Sequence, residues 1–225
     1  SQLGLHVAPT QLFQYLTIAE LAHVVHQNVS VHAQQELVTG EVCLTAIQKW
    51  FFEQDLGNLH HWNHAILVNV KCVMDKAILF KAIKCLLRQH DALRMRYQSA
   101  GREWQQINSD DLNTISFHYE DCSQLNENEK SRLICEKSRL WQDDLNLIEG
   151  PLLTVGFFNC GLSHSHRLFV SAHHLVIDGI SWRVILEDLQ TAYSQLENNE
   201  DVKLLAKTTS FQYWAKQLRQ SKGCE

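Results

Sequence analysis

The sequence predicts an α/β protein, a two-layer sandwich of helices packed on sheet. Three observations carry that expectation. Short apolar runs of strand length alternate along the chain with longer amphipathic stretches of helical period. The chain's two prolines, Pro9 and Pro151, fall outside the interiors of these segments. Apolar content is 45% and charged content 20% of 225 residues, enough to bury a real core.

The elements follow in order. Residues 10–25 read as a helix, capped by Thr10 or, if shorter, by Thr17. Its apolar stripe is Leu12, Phe13, Leu16, Ala19, Leu21, Ala22 and Val25. Residues 26–40 are polar and without period, which predicts a linker. A helix over 45–54 starts at Thr45 and carries Trp50, Phe51 and Phe52. Residues 64–73 read as a mostly buried strand, with Ala65-Ile66-Leu67-Val68-Asn69-Val70 at its centre. Asp75 is a good cap for a helix reaching about residue 90, with Leu79, Ala82, Ile83, Leu86 and Leu87 on one face. Strands are predicted at 93–98, 103–107 and 115–120, with Gly101 marking a hairpin. Residues 127–145 form a polar amphipathic helix that turns Leu133, Ile134, Leu140 and Trp141 inward. Strands at 152–158 and 167–172 and helices at 181–197 and 211–220 close the chain.

Composition excludes several classes of function. A net charge of −5 argues against a general nucleic-acid binder. No apolar run approaches the roughly 20 residues of a membrane span. The N-terminus lacks the basic start and apolar core of a signal peptide. Seven scattered cysteines, an odd number with no C-x-x-C pair, predict reduced thiols and a cytoplasmic protein. Among 13 histidines, His60, His61 and His64 make one loose group, and His164 and His166 another. Neither has a carboxylate or cysteine at a usual ligand spacing, so surface histidines and no metal are expected.

The run His173-His174-Leu175-Val176-Ile177-Asp178-Gly179-Ile180-Ser181-Trp182 is the most informative segment. It follows the apolar stretch Leu168-Phe169-Val170-Ser171-Ala172 and precedes a helix. Imidazoles are thereby placed where a strand runs out into a loop, positioned for acid/base work near neutral pH. Adjacent residues on extended backbone point to opposite sides. If His174 faces a substrate, His173 turns into the fold.

Five segments in this order resemble the condensation-domain superfamily of nonribosomal peptide synthetases, and within it the epimerization subgroup. Leu44-Thr45-Ala46-Ile47-Gln48-Lys49-Trp50-Phe51-Phe52-Glu53 is similar to its opening motif, with Ala46 in place of the usual proline. Arg88-Gln89-His90-Asp91-Ala92-Leu93-Arg94 is similar to its R-H-E/D-x-L-R motif, with one extra-looking Gln. Gly150-Pro151-Leu152 and the His173–Trp182 run follow. The order Ser181-Trp182, where condensing domains commonly have Trp-Ser, and Lys207-Thr208-Thr209-Ser210-Phe211-Gln212-Tyr213-Trp214 both resemble the epimerization subgroup. The start of the chain is similar to the last helix of a peptidyl carrier domain, with Leu16 where proline is usual.

The resemblance implies an organisation: 1–27 the C-terminal helix of a carrier domain, 28–40 a linker, and 41–225 the N-terminal lobe of an epimerization or condensation domain. The expected lobe resembles chloramphenicol acetyltransferase and faces a second lobe across a tunnel. The implied reaction inverts the α-carbon of an aminoacyl or peptidyl thioester held on the 4'-phosphopantetheine of a carrier, with no other cofactor. His174 is implied as the acid/base residue, and a glutamate of the second lobe as its opposite-face partner, so the chain alone is expected to be inactive. His173 supports. Asp178 is implied to form a buried salt bridge with an arginine of the Arg88–Arg96 segment, foremost Arg94, costing roughly 3–5 kcal/mol to break from one side. Gly179 is expected to allow positive φ or close substrate approach. Ser181 is expected to cap the following helix and Trp182 to pack in the core. Gln48 and Trp50 are explained about as well by helix packing. Lys207 to Ser210 border the tunnel mouth, or Ser210 merely caps a helix. Partners are the carrier domain, the second lobe and neighbouring synthetase modules; no nucleic acid or membrane is expected. The alternatives are a condensing domain and an inactive remnant that docks a carrier.

Overall fold

The structure is a computed structural model that describes residues 14–24, 33–101, 103–161 and 165–221. Helix α1 (Ile18–Val24) is capped by Thr17, whose hydroxyl accepts the Glu20 N–H while the Glu20 carboxylate accepts the Thr17 N–H. Thr10 lies outside the described residues.

Then come β1 (Gly40–Val42), α2 (Ala46–Glu53), β2 (Asn63–Val70), α3 (Lys76–Gln89), β3 (Met95–Ala100), β4 (Glu103–Asn108) and β5 (Ser116–Asp121). They are followed by α4 (Glu127–Trp141), β6 (Leu153–Asn159), β7 (His166–His173), α5 (Ser181–Glu197) and α6 (Phe211–Ser221). Among the described residues the strands form two sheets, β1-β4-β3 and β2-β7-β6-β5. β5 and β6 are parallel, because α4 carries the chain back between them; the other pairs are antiparallel.

The α/β class is as predicted. α3 and α5 lie on one face of the four-stranded sheet, where Leu79, Ile83, Leu86, Val155, Phe157, Val170, Ile185 and Leu189 form one cluster. Trp141 of α4 covers the other face, stacked on Phe158 at 4.8 Å. Gly156 is small for this reason: a Cβ there would meet the Trp141 ring.

Several expectations shift. Leu140, expected to turn inward, is 57% exposed, and the helix expected over 10–25 is interrupted at Tyr15 and Leu16. β2, read as mostly buried, is an edge strand with no fully buried residue and with Leu67 48% exposed. The strand expected from 93 begins at Met95, because Asp91–Arg94 form a tight 3-10 turn that buries Arg94. The helix expected to reach 145 ends at Trp141 and tightens into a 3-10 turn, Gln142–Asp144. The described part of the linker is also no free tether. Val38 is 1% exposed and its N–H donates to Asp91, while Lys207 Nζ donates to the Glu36 carbonyl.

Gln48, a motif residue of α2, is buried and donates to Gln106 of β4 at 2.7 Å. It pins helix to sheet, whereas Trp50 is exposed. Ser210 caps α6, its hydroxyl accepting the Tyr213 N–H. Six described cysteines are free thiols. Among the described residues no helix is long and apolar enough to cross a membrane.

Candidate active site at the end of strand β7

Strand β7 alternates as its sequence predicts. Leu168, Val170 and Ala172 join the cluster under α3 and α5, and Phe169 joins the cluster under α4. Extending that alternation divides the histidine pair. His173 is fully buried against Phe51, whose ring meets it edge-on at 5.7 Å, and His174 is exposed.

Both nitrogens of His173 are engaged. Its Nδ1 accepts the Leu175 N–H at 3.2 Å, so the proton sits on Nε2 and is donated to the Leu59 carbonyl at 2.9 Å. Burial pushes its pKa down to about 4, against the Leu59 carbonyl, which favours the protonated ring. The unfolded chain therefore takes up a proton near pH 6.5 that the folded protein refuses until about pH 4. Stability is fully present above pH 6.5 and falls as pH drops through that window. In an NMR titration the His173 ring signal should stay unmoved down to pH 5; a midpoint near 6.5 would contradict the burial argument.

His174 is arranged differently. Its backbone N–H donates to the Trp62 carbonyl at 2.8 Å, tying the loop to the chain before β2. Its Nδ1 lies 2.7 Å from the Ile177 carbonyl. A carbonyl only accepts, so Nδ1 carries the proton and the Nε2 lone pair is left for chemistry.

The rest of the loop corrects the expected roles. Asp178 does not pair with Arg94. It is exposed, and its Oδ1 accepts the Ser181 hydroxyl at 2.6 Å and the Ser181 N–H at 2.8 Å. The Ser181 hydroxyl, then its N–H, hold the carboxyl below the usual carboxylate range. Ser181 is thus the first residue of α5, and Asp178 satisfies its N–H; the expected capping role passes from serine to aspartate. Asp178→Ala should cost about 1 kcal/mol in urea unfolding, as a lost cap does, and leave the chain soluble. Gly179 has no positive φ, and a Cβ there would meet only open space. The expected positive φ is therefore not the reason for a glycine here. Trp182 packs in the core as expected, 6% exposed.

Arg94 lies deep in the fold, 1% exposed. Its guanidinium donates to the Leu87, Val38 and Ser109 carbonyls and pairs with Asp91 at 2.9 Å. Lys207 Nζ meets the same Asp91 oxygen at 2.9 Å. The buried ion pair implied for Asp178 exists, but on Asp91, three residues before the arginine.

His64 is not the surface histidine that its sequence neighbourhood suggests. It is half-buried in β2, and its ring lies 5.3 Å from that of His174. Its Nδ1 is 3.0 Å from the Trp182 indole nitrogen. The one signal in the sequence is its period-2 placement with Ile66, Val68 and Val70; the pairing of β2 with β7 is not written there. His60 is not simply a surface group either, since its Nδ1 accepts the Leu147 N–H. A groove of about 670 Å³ lies between β2 and α4 and is not lined by His174, which is exposed.

Known proteins resemble this chain in sequence and in fold. A profile of the family described as "Condensation domain" matches residues 38–225. The chain is 46% identical over 218 residues to one of the linear gramicidin synthase proteins of Brevibacillus parabrevis, covering 97% of this chain and 4% of that protein. It is 38% identical over 214 residues to gramicidin S synthase 1 of Brevibacillus brevis, covering 95% and 19%. Among solved structures, the epimerization domain from the third module of tyrocidine synthetase B matches with a TM-score of 0.77 and 36% identity, covering 85% of this chain and 42% of that one. The chain therefore spans less than half of that solved domain and a small part of these synthases.

Proposed function

This chain belongs to the condensation-domain family of peptide synthetases, and from that premise we propose that it is the N-terminal lobe of an epimerization domain. Residues 1–27 supply the end of a carrier domain, 28–40 the connection, and 41–225 the lobe. The substrate is an aminoacyl or peptidyl thioester tethered through 4'-phosphopantetheine on a carrier. His174 Nε2 exchanges the α-proton on one face, and an acid/base group of the second lobe serves the other.

The observation that carries this reading is the state of His174: exposed, oriented by Ile177, and left with one free lone pair. The α-proton of a thioester is weakly acidic, and a positioned imidazole is the base that chemistry needs near neutral pH. His173 cannot serve, because both its nitrogens are engaged. Likeness at 36% identity to a solved epimerization domain supports inversion over amide formation, as does the Ser181-Trp182 order.

The test uses the complete domain with an α-deuterated aminoacyl carrier. Loss of deuterium to solvent and appearance of the D-configured product are expected. Peptide-bond formation with deuterium retained would replace this reading with condensation; neither reaction would leave a carrier-docking lobe.

A further inference from the structure

His64 and His174 come from different strands to one place. His64 stands opposite Ala172 in the β2–β7 register, on the sheet face that carries Val170 and Ala172, and His174 is the next residue of β7's chain on that face. Their rings lie 5.3 Å apart at 40°.

The two imidazoles are held in opposite tautomers. An indole N–H only donates, so the Trp182 contact makes His64 Nδ1 an acceptor and puts the proton of the neutral ring on Nε2. The Ile177 carbonyl does the reverse for His174. Trp182 is itself fixed in the core and meets the His64 ring edge-on at 5.6 Å, so the tautomer is set by a rigid group. Among the described residues neither Nε2 has a hydrogen-bond partner. One ring offers a lone pair and its neighbour offers an N–H.

Removing a proton next to a thioester carbonyl needs both. The C–H bond breaks, the proton goes to His174 Nε2, and the electron pair delocalises onto the carbonyl oxygen as an enolate. That oxygen needs a donor placed beforehand. We propose that His64 is a second catalytic residue of this site, donating its Nε2–H to the thioester oxygen as charge collects there. His64 keeps its proton throughout, and its Nδ1 lone pair, taken by the indole, cannot compete as a base. When the α-carbon is reprotonated from the opposite face, the charge returns and the hydrogen bond weakens.

This assignment rests on the epimerization reading, and the experiment separates the two. In the complete domain, His64→Leu should lower kcat for deuterium washout by about 10²–10³-fold, with KM for the aminoacyl carrier little changed. His64→Gln retains an acceptor for the indole and an N–H donor, and should recover most of the rate. A structural role alone would move the melting temperature of His64→Leu and leave the ratio of kcat to KM untouched. Long-range 1H–15N spectra should show the His64 proton on Nε2 and the His174 proton on Nδ1. Wild-type washout that persists in His64→Leu, or a His64 proton on Nδ1, overturns this assignment alone. No washout in the wild type overturns it together with the epimerization reading.

Discussion

His174→Ala should lower α-deuterium washout by about 10²–10⁴-fold in the complete domain, the range lost with a general acid/base group. The side chain is exposed and makes one hydrogen bond, to a carbonyl of its own loop, so the melting temperature should hardly move. Glutamine in its place reaches the same carbonyl but has no basic lone pair, and should fail equally. The neighbouring substitution separates chemistry from folding. His173→Ala removes a fully buried ring, leaves the Leu175 N–H and the Leu59 carbonyl without partners, and should destabilise the lobe before any rate is measured. A stable, inactive His173→Ala beside an active His174→Ala would reverse the two roles.

Asp91→Ala should be the most destabilising single charge deletion in the lobe, by about 3–5 kcal/mol in urea unfolding. Its carboxylate is shared by the Arg94 guanidinium and the Lys207 ammonium, which are 1% and 8% exposed. Removing it leaves two buried cations beside each other. It also releases the Val38 N–H, one of several ties that hold residues 33–39 to the body. Asp91→Asn keeps an acceptor but no charge and should fall between alanine and wild type. The contrast with Asp178→Ala, at about 1 kcal/mol, is the sharpest stability test available, because the family resemblance placed the buried pair on Asp178. Equal costs for the two would mean that the Asp91 cluster is as solvated as the Asp178 loop.

The structural role of Asp91 also explains the R-H-D-x-L-R-like segment. Its arginine ties the end of α3 (Leu87), the segment before β1 (Val38) and the residue after β4 (Ser109) by carbonyl contacts, and Asp91 neutralises it. Lys207 brings in the chain before α6 from more than a hundred residues away.

What the sequence by itself determined were features written in neighbouring residues. The 3.6-residue stripe of Leu79, Ala82, Ile83, Leu86 and Leu87 specified α3 and its buried face, and Asp75 specified where it starts. The period of two in β7 sent His173 and His174 to opposite sides before any partner was known. Contacts between distant side chains were decided only in the folded protein. Asp91 and Asp178 are the same carboxylate on paper, and only burial tells which one can meet a buried arginine. β2 reads as a core strand because its composition is apolar, but composition does not say that the strand has a neighbour on one side only. His64 belongs with His174 because the β2–β7 register sets Asn63 against His173, and a one-residue slip would turn it to the other face. Register and edge position depend on the whole sheet at once, and no local period encodes them.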